Sequence, residues 1–329
     1  MRVAIDCGPL STGHGVRGIG TYVRELVRKL KNVDTIDFST LSGFEKYDIV
    51  HFTSFKPFEV SLPVSKPKGV KYVLTIYDLI PLIYPKNYPS GVRGWTKWQI
   101  NKYLIKKNVD AIITISETSK KDICRFIGID PDMVFVTYLA ARTIFKKLTD
   151  GKWKTEISKK YDLPKKFALY VGDVNYNKNI PALVAGCQKA NIPLVIAGKQ
   201  ANIINKINLG HPELAHLKGV NWDGVVKVGF VPDEDLVKIY NLSAVYIQPS
   251  LYEGFGLPIL EALACKIPLV ISKNQCHVEI MGSDFQYFDP NSTDSLVNAI
   301  KNPNIGRVPS REYSWEKTAK ETQSVYAKI

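Results

Sequence analysis

Residues 249–272 read PSLYEGFGLPILEALACKIPLVIS, and this stretch sets the expectation for the rest of the chain. It leaves an apolar run, crosses a loop with two glycines and enters a helix. Pro258 suits a first helical position, where a missing N–H costs nothing. That places Tyr252 to Leu257 in the loop and Glu261 in the first turns of the helix. The unpaired amides of a helix start carry about half a positive charge, a ready seat for a diphosphate. Gly254, Phe255, Gly256 and Leu257 would carry the backbone past that anion, the two glycines permitting close approach. Two carboxylates beside a phosphate repel it unless they hold something else. Glu261 is suited to the hydroxyls of a ribose, and Glu253, on the loop, to those of a transferred sugar. A solvated carboxylate favouring the helix dipole is the plain alternative for Glu261.

Working outward, strand-like and helix-like runs alternate on both sides. RVAIDC, TIDFSTL, DIVHF, YVLTIYDL and AIITIS occupy the first half, and FALYVGDV, PLVIAG, VKVGFV, VYIQPS, PLVIS and FQYFD the second. Such alternation predicts α/β architecture with parallel sheets and crossover helices, and strands ending in Gly, Pro, Ser or Asp open onto a ligand crevice. A polar, lysine-rich stretch near Lys146 to Lys165 lacks a strand pattern and marks a domain junction. The expected domains are residues 1–150, residues 151–310 and a closing helix over residues 311–329, with Ser314 as its N-cap.

Gly13, Gly15 and Gly18 satisfy G-x-G-x-x-G, but five residues, Gly8 to Thr12, separate the motif from the strand. No acid falls cleanly at the next strand end, so nicotinamide binding is disfavoured. The alternatives are a flexible connector or a loop whose amides approach a phosphate or acceptor, with Gly18, Gly20 and Arg17 on the second reading.

The chain has 329 residues, with 44 Lys plus Arg against 31 Asp plus Glu, a net charge of +13 that favours anionic partners. The densest basic segment, Lys86 to Lys107, interleaves Arg93, Lys97, Lys102, Lys106 and Lys107 with Trp95, Trp98 and Tyr103. On a helical projection its bases and aromatics do not part onto two faces. Peripheral contact with an anionic membrane is weighed there against a half-buried helix with a solvated basic side. No recognised nucleic-acid motif accompanies the charge, so no nucleic acid is expected as a partner. Five scattered cysteines encode neither a disulfide framework nor a zinc site. The start MRVAIDCGPL reads as a strand rather than a leader, and no apolar run is long enough to span a membrane, so a cytoplasmic protein is expected.

Glu253-x7-Glu261, within P-S-x-x-E-G-F-G-L-P-x-L-E-A-x-A, resembles glycosyltransferase family 4, retaining enzymes of the GT-B fold. GVRGIGTYVREL, DIVHF, VLTIYDLIPLIYP, FALYVGDVNYNKN and GFVPDEDLVKIYNLSAVYIQPS are similar to further family segments. The resemblance implies two Rossmann-like parallel-sheet domains facing across a cleft, the first binding acceptor and the second the sugar nucleotide. It implies a closing helix that crosses back to the first domain. It also implies Lys178 on the diphosphate, Glu261 on the ribose, Glu253 on the donor sugar and the backbone of Phe230 and Val231 on the base. The expected reaction moves a hexose, mannose first, from a nucleoside-diphosphate sugar to a glycan or lipid-linked acceptor, with no cofactor or metal required. A GDP-sugar comes first as donor and a UDP-hexose or dTDP-rhamnose second. A catalytically impaired sugar-nucleotide-binding protein and a sugar-nucleotide epimerase are the competing readings. Two departures support the first of these: Asn177 stands where an arginine is usual, and Tyr77-Asp78 where His-Asp is common. Asp78 is the candidate for positioning the acceptor hydroxyl, against a turn-capping role, and His51 a second candidate against a packing role.

Overall fold

The computed structural model describes residues 1–11, 15, 18–38, 43–149, 151–201 and 209–329. They divide into two compact units, Met1–Ala140 with Tyr313–Ile329, and Ala141–Glu312.

The first unit holds β1 (Val3–Asp6), α1 (Gly18–Lys29), β2 (Val33–Ile36), β3 (Ile49–Phe52), β4 (Lys71–Thr75), α2 (Ile80–Ile83), α3 (Gly91–Asn108), β5 (Ala111–Thr114), α4 (Glu117–Ile127) and β6 (Val134–Val136). Its sheet runs β2-β1-β3-β4-β5-β6 with every pairing parallel. The central strands β1, β3 and β5 are buried at every residue, as expected of a sheet covered on both faces. Beneath it Phe38, Phe44, Phe52 and Tyr72 meet edge to face, with ring centroids 5.0 to 6.3 Å apart. Sharp ends come from local chemistry: the Ser116 hydroxyl accepts from the Ser119 amide at 2.9 Å to start α4, and Gly128, at φ 72°, stops it.

The second unit holds α5 (Trp153–Lys160), β7 (Ala168–Val171), α6 (Ile180–Lys189), β8 (Leu194–Ala197), β9 (Val225–Gly229), α7 (Asp233–Leu242), β10 (Val245–Gln248), α8 (Leu257–Ala264), β11 (Leu269–Ile271), α9 (Gln275–Met281) and α10 (Thr293–Lys301). Its sheet is again parallel, in the order β11-β10-β7-β8-β9. The chain winds outward from β7 through β8 and β9, then returns to the other side of β7 with β10. The ends of β7 and β10 therefore form the topological switch point, where the following loops splay apart and leave a crevice. Gly198, just beyond β8, has no room for a side chain: a Cβ there would lie 2.0 Å from the Gly172 carbonyl oxygen.

The final helix, α11 (Trp315–Lys328), belongs to the first unit, where it lies on α1. Ser314 caps it, accepting from the Lys317 amide at 3.2 Å. Tyr326 of α11 bonds His51 at 2.6 Å inside the unit.

The boundaries expected at residues 150/151 and 310/311 move to 140/141 and 312/313. The first shift has a physical cause. Arg142 pairs with Asp233 and Glu261, Phe145 meets Tyr240 edge to face at 5.5 Å, and the Leu148 amide bonds Asn241 at 2.9 Å. The segment ahead of the lysine-rich stretch is thus built into the second unit.

Candidate functional site

The loops after β7 and β10 meet at the switch point and bring Lys178 and Glu253 together. The Lys178 ammonium lies 2.8 Å from Oε1 and 2.7 Å from Oε2 of Glu253. Oε1 also accepts from Gln248 Nε2 at 2.8 Å and from the Ser250 hydroxyl at 2.6 Å. Oε2 accepts from Lys178 alone among the hydrogen bonds of the described residues, so it retains a lone pair for a further donor. Burial opposes the charge on Glu253, but Lys178 above all, together with the Ser250 hydroxyl, holds its carboxyl below the usual range. The carboxylate is therefore ionised at neutral pH.

Asn177 fixes the two loops to each other. Its side-chain amide donates to the Tyr252 carbonyl at 3.0 Å, and its own carbonyl accepts from the Leu251 amide at 2.8 Å. The residue is buried, so this amide fills a structural place between the loops where the resemblance leads one to look for an arginine.

Gly254, Phe255 and Gly256 are buried and Leu257 is half-buried as the chain enters α8. Gly256 caps the helix at φ 105°, in a region that L side chains rarely adopt, and a Cβ there would also press to 3.2 Å from Ile259. The helix starts one residue earlier than expected, at Leu257, so Pro258 takes its second position, still in the first turn where a missing N–H costs nothing. Behind this loop stands His277 of α9, fully buried. Its Nδ1 lies 2.8 Å from the Ser272 carbonyl and 3.0 Å from Asn274 Nδ2, and its Nε2 is buried with no hydrogen-bond partner among the described residues. Burial pushes its pKa down to about 4, so the ring is neutral at pH 7.

Glu261, on α8, is buried against Arg142 and Tyr240, with Arg142 Nη2 3.2 Å from Oε1 and the Tyr240 hydroxyl 3.1 Å from Oε2. Burial outweighs both partners and pushes the carboxyl up to about 7. The other guanidinium nitrogen of Arg142 bonds Asp233, in the first turn of α7. That helix follows directly on Phe230, which is half exposed, and Val231, which is buried. Arg142 thus ties the Phe230–Val231 loop to Glu261. The two acids are joined through a buried seam: the Tyr240 and Tyr246 rings meet at a tilt of 45° with centroids 5.7 Å apart, the Tyr246 hydroxyl bonds Gln248, and Gln248 bonds Glu253.

Sequence reasoning missed Arg142, Gln248, Ser250 and His277. Ser250 is the serine of the P-S-x-x-E motif itself and Gln248 stands just ahead of it at the end of β10, so a polar pair closing a buried strand is a legible signal. Arg142 lies 119 residues from Glu261, and nothing local announces the pair.

In the first unit, Asp78 is half-buried and its Oδ1 accepts from the Ile80 amide at 3.1 Å, the geometry of a turn cap. Tyr77 donates to the Thr53 carbonyl at 2.6 Å, and burial drives its pKa well above the ordinary value, so it is no base. His51 is wholly buried between Tyr326 and Thr75, at 2.6 and 2.7 Å, and burial pushes its pKa down to about 3. Its packing role is the one the geometry supports. Gly18 opens α1 and is exposed, with open space where a Cβ would stand, while Gly20 is buried in the first turn. Gly13 and Arg17 lie outside the described residues, as does Asp150. Among the described residues, no three His, Cys, Asp or Glu side chains are grouped to hold a metal ion.

Comparison with known proteins now decides the family. Residues 36–141 match the model for Glycosyltransferase Family 4, and residues 152–311 that for Glycosyl transferases group 1. The chain belongs to glycosyltransferase family 4. As a family 4 chain it is 28% identical to the serotype-specific mannosyltransferase WbdA of Escherichia coli over 267 residues, which is 77% of this chain and 32% of that protein. It is 26% identical to O-antigen chain mannosyltransferase B of Escherichia coli over 272 residues, 77% of this chain and 69% of the relative. The chain therefore spans about a third of the length of the first of these relatives. Anabaena Alr3699/HepE, solved in complex with UDP-glucose, superposes with a TM-score of 0.63 at 14% identity, covering 99% of this chain and 94% of the other. Likeness at that identity shows the GT-B fold of the family 4 chain, two parallel-sheet α/β domains.

Proposed function

We propose that this chain is a retaining glycosyltransferase that moves a hexose, with mannose as first choice, from a nucleoside-diphosphate sugar to a glycan or lipid-linked acceptor. One observation carries the reading: at the switch point, Lys178 and Glu253 lie within 2.8 Å of each other beside the start of α8. A glycosyl diphosphate presents an anion and a polyhydroxylated ring one bond apart, so its two recognition groups must also be neighbours. Lys178 and the α8 amides take the diphosphate, and the open lone pair of Glu253 Oε2 takes a sugar hydroxyl. Gly254 to Leu257 supply backbone to the same group. Glu261 accepts from the ribose, and the backbone at Phe230 and Val231 meets the base, with Arg142 holding these two parts in register. The mannosyltransferase names of the relatives support mannose and hence a GDP-sugar. UDP-glucose bound to Alr3699/HepE supports a UDP-hexose as second choice.

In the reaction, the bond from the anomeric carbon to the diphosphate oxygen breaks and a bond to the acceptor oxygen forms. The acceptor proton passes to the departing diphosphate oxygen on the same face, which gives retention. Charge on the leaving group is met by Lys178 and by the helix amides, so the reading requires neither metal nor cofactor. The first unit is assigned the acceptor, with Asp78 positioning its hydroxyl and Gly18 and Gly20, at the start of α1, assigned to the acceptor or phosphate.

A thermal-shift panel of nucleoside diphosphates and sugar nucleotides, followed by analysis of any glycan formed, tests the proposal. Stabilisation by one nucleotide family with acceptor-dependent release of the diphosphate supports it. Stabilisation without transfer to any acceptor identifies a binding protein, and an epimerised free sugar nucleotide identifies an epimerase.

A further inference from the structure

The longest helix of the first unit, α3, turns an unusual surface to solvent. Its inner face is anchored by buried Gly94, Trp98, Leu104 and Ile105, and by two buried amides. Asn101 donates to the carbonyls of Pro57 and Glu59 at 3.1 and 2.6 Å, and Asn108 to that of Pro63 at 3.1 Å. This fixes which side chains face outward. They include Val92, 85% exposed, Trp95 at 55%, Ile100 at 40% and Tyr103 at 60%, four of the ten large hydrophobics most exposed on the described chain. The helix also carries Arg93, Lys97, Lys102, Lys106 and Lys107 and no acidic residue.

We infer that the outward face of α3 docks on an anionic lipid bilayer, lying flat in its interface. Exposing four large apolar side chains on one helix leaves their hydration unrelieved unless something covers them. Five cations without a single acid select a negatively charged cover, while Val92 and Ile100 have nothing to gain from a purely polar polyanion such as nucleic acid. A headgroup layer offers both environments at once: phosphates for the lysines and acyl carbon for the apolar side chains, with Trp95 and Tyr103 at the boundary. The basic and apolar residues share the outward face rather than dividing it, which suits shallow seating with the long lysine stems reaching sideways to phosphates. At 1.5 Å per residue its 18 residues span about 27 Å. No helix of the described residues is long and apolar enough to cross a membrane, so the contact is peripheral. The inference rests on α3 alone and stands whether or not the donor reading is right.

The test is flotation of the full chain with vesicles of phosphatidylcholine alone or with about 30% phosphatidylglycerol, at low and at high salt. Binding is expected only to the anionic vesicles and is expected to weaken with salt. Each interfacial lysine contributes about fivefold in affinity, so Lys106→Gln with Lys107→Gln should weaken binding about 25-fold. Trp95→Ser with Tyr103→Ser should weaken it by at least about tenfold while leaving the salt dependence in place. Unchanged melting temperature in both variants separates lost docking from lost folding. The inference is overturned if the chain ignores anionic vesicles at low salt, or if the aromatic variant binds like the parent. It is also overturned if binding follows charge alone and single-stranded DNA competes as well as vesicles do, or if α3 variants abolish self-association with no effect on lipid.

Discussion

Replacing Lys178 by Met would strand the Glu253 carboxylate. Glu253 is 5% exposed and would lose bonds of 2.7 and 2.8 Å while keeping those from Gln248 and Ser250. Breaking a buried pair by removing one partner costs about 3–5 kcal/mol, and the two surviving hydrogen bonds place this case near the lower end, about 3 kcal/mol. The pH dependence changes sign as well. In the parent, the Glu253 carboxyl lies below its unfolded value, so its stabilising contribution is complete above about pH 4.5 and is lost as pH falls through the folded value. Without Lys178, burial dominates and lifts the carboxyl above the unfolded value. The variant should then gain stability as pH falls from 7 to 5. Urea unfolding at pH 7 and pH 5 reads both effects. Lys178→Met with Glu253→Gln leaves no buried charge and should recover most of the lost stability, yet remain unable to bind the diphosphate tightly. A single variant as stable as the parent at both pH values would refute the buried-pair argument. A double variant that transfers sugar at the parent rate would remove both residues from the site.

Other expectations follow from the same geometry. Glu253→Gln should lower turnover more than it lowers affinity for the free nucleoside diphosphate, since Glu253 is assigned to the sugar and Lys178, relieved of its carboxylate partner, keeps its charge for the diphosphate; equal losses would contradict that role. Arg142→Met should raise the Glu261 carboxyl further above 7 and weaken nucleoside diphosphate binding about tenfold at neutral pH, with recovery toward higher pH, whereas a uniform loss across pH 6 to 9 would reduce Arg142 to a packing element. In the parent, Glu261 itself favours the folded state at low pH, fully below about 4.5, and that contribution is lost as pH rises through about 7, so Glu261→Gln should flatten the stability profile over this window in calorimetric scans. His51, held at about 3 against an ordinary 6.5, contributes stability above pH 6.5 that is lost as pH falls; by pH 5 the loss is about 2 kcal/mol, and His51→Gln should remove that part of the slope.

The motif around Glu253 and Glu261 was legible because its physics is local. A proline at a helix start, glycines ahead of it and an acid on either side can be read within a dozen residues, and α8 with Gly256 at φ 105° has that form. Alternating apolar runs likewise announced both parallel sheets. What stayed hidden was long-range pairing. That Lys178 would seat on Glu253, 75 residues away, depends on β10 returning to the side of β7, and a strand order is not written in the periodicity of either strand. The same limit displaced the domain boundary, since a lysine-rich composition marks a solvated stretch and says nothing of the Arg142 side chain buried just before it. His51 shows the reverse case: a strand histidine that the sequence leaves open between an acceptor role and packing is a buried cross-link once Tyr326 of the last helix reaches it.

The most direct test is a crystal structure of the chain with a non-transferable sugar nucleotide. The account expects the diphosphate on Lys178 Nζ and the amides opening α8, with a sugar hydroxyl on Glu253 Oε2. A nucleotide bound elsewhere, with the Lys178–Glu253 pair undisturbed and α8 untouched, would contradict it.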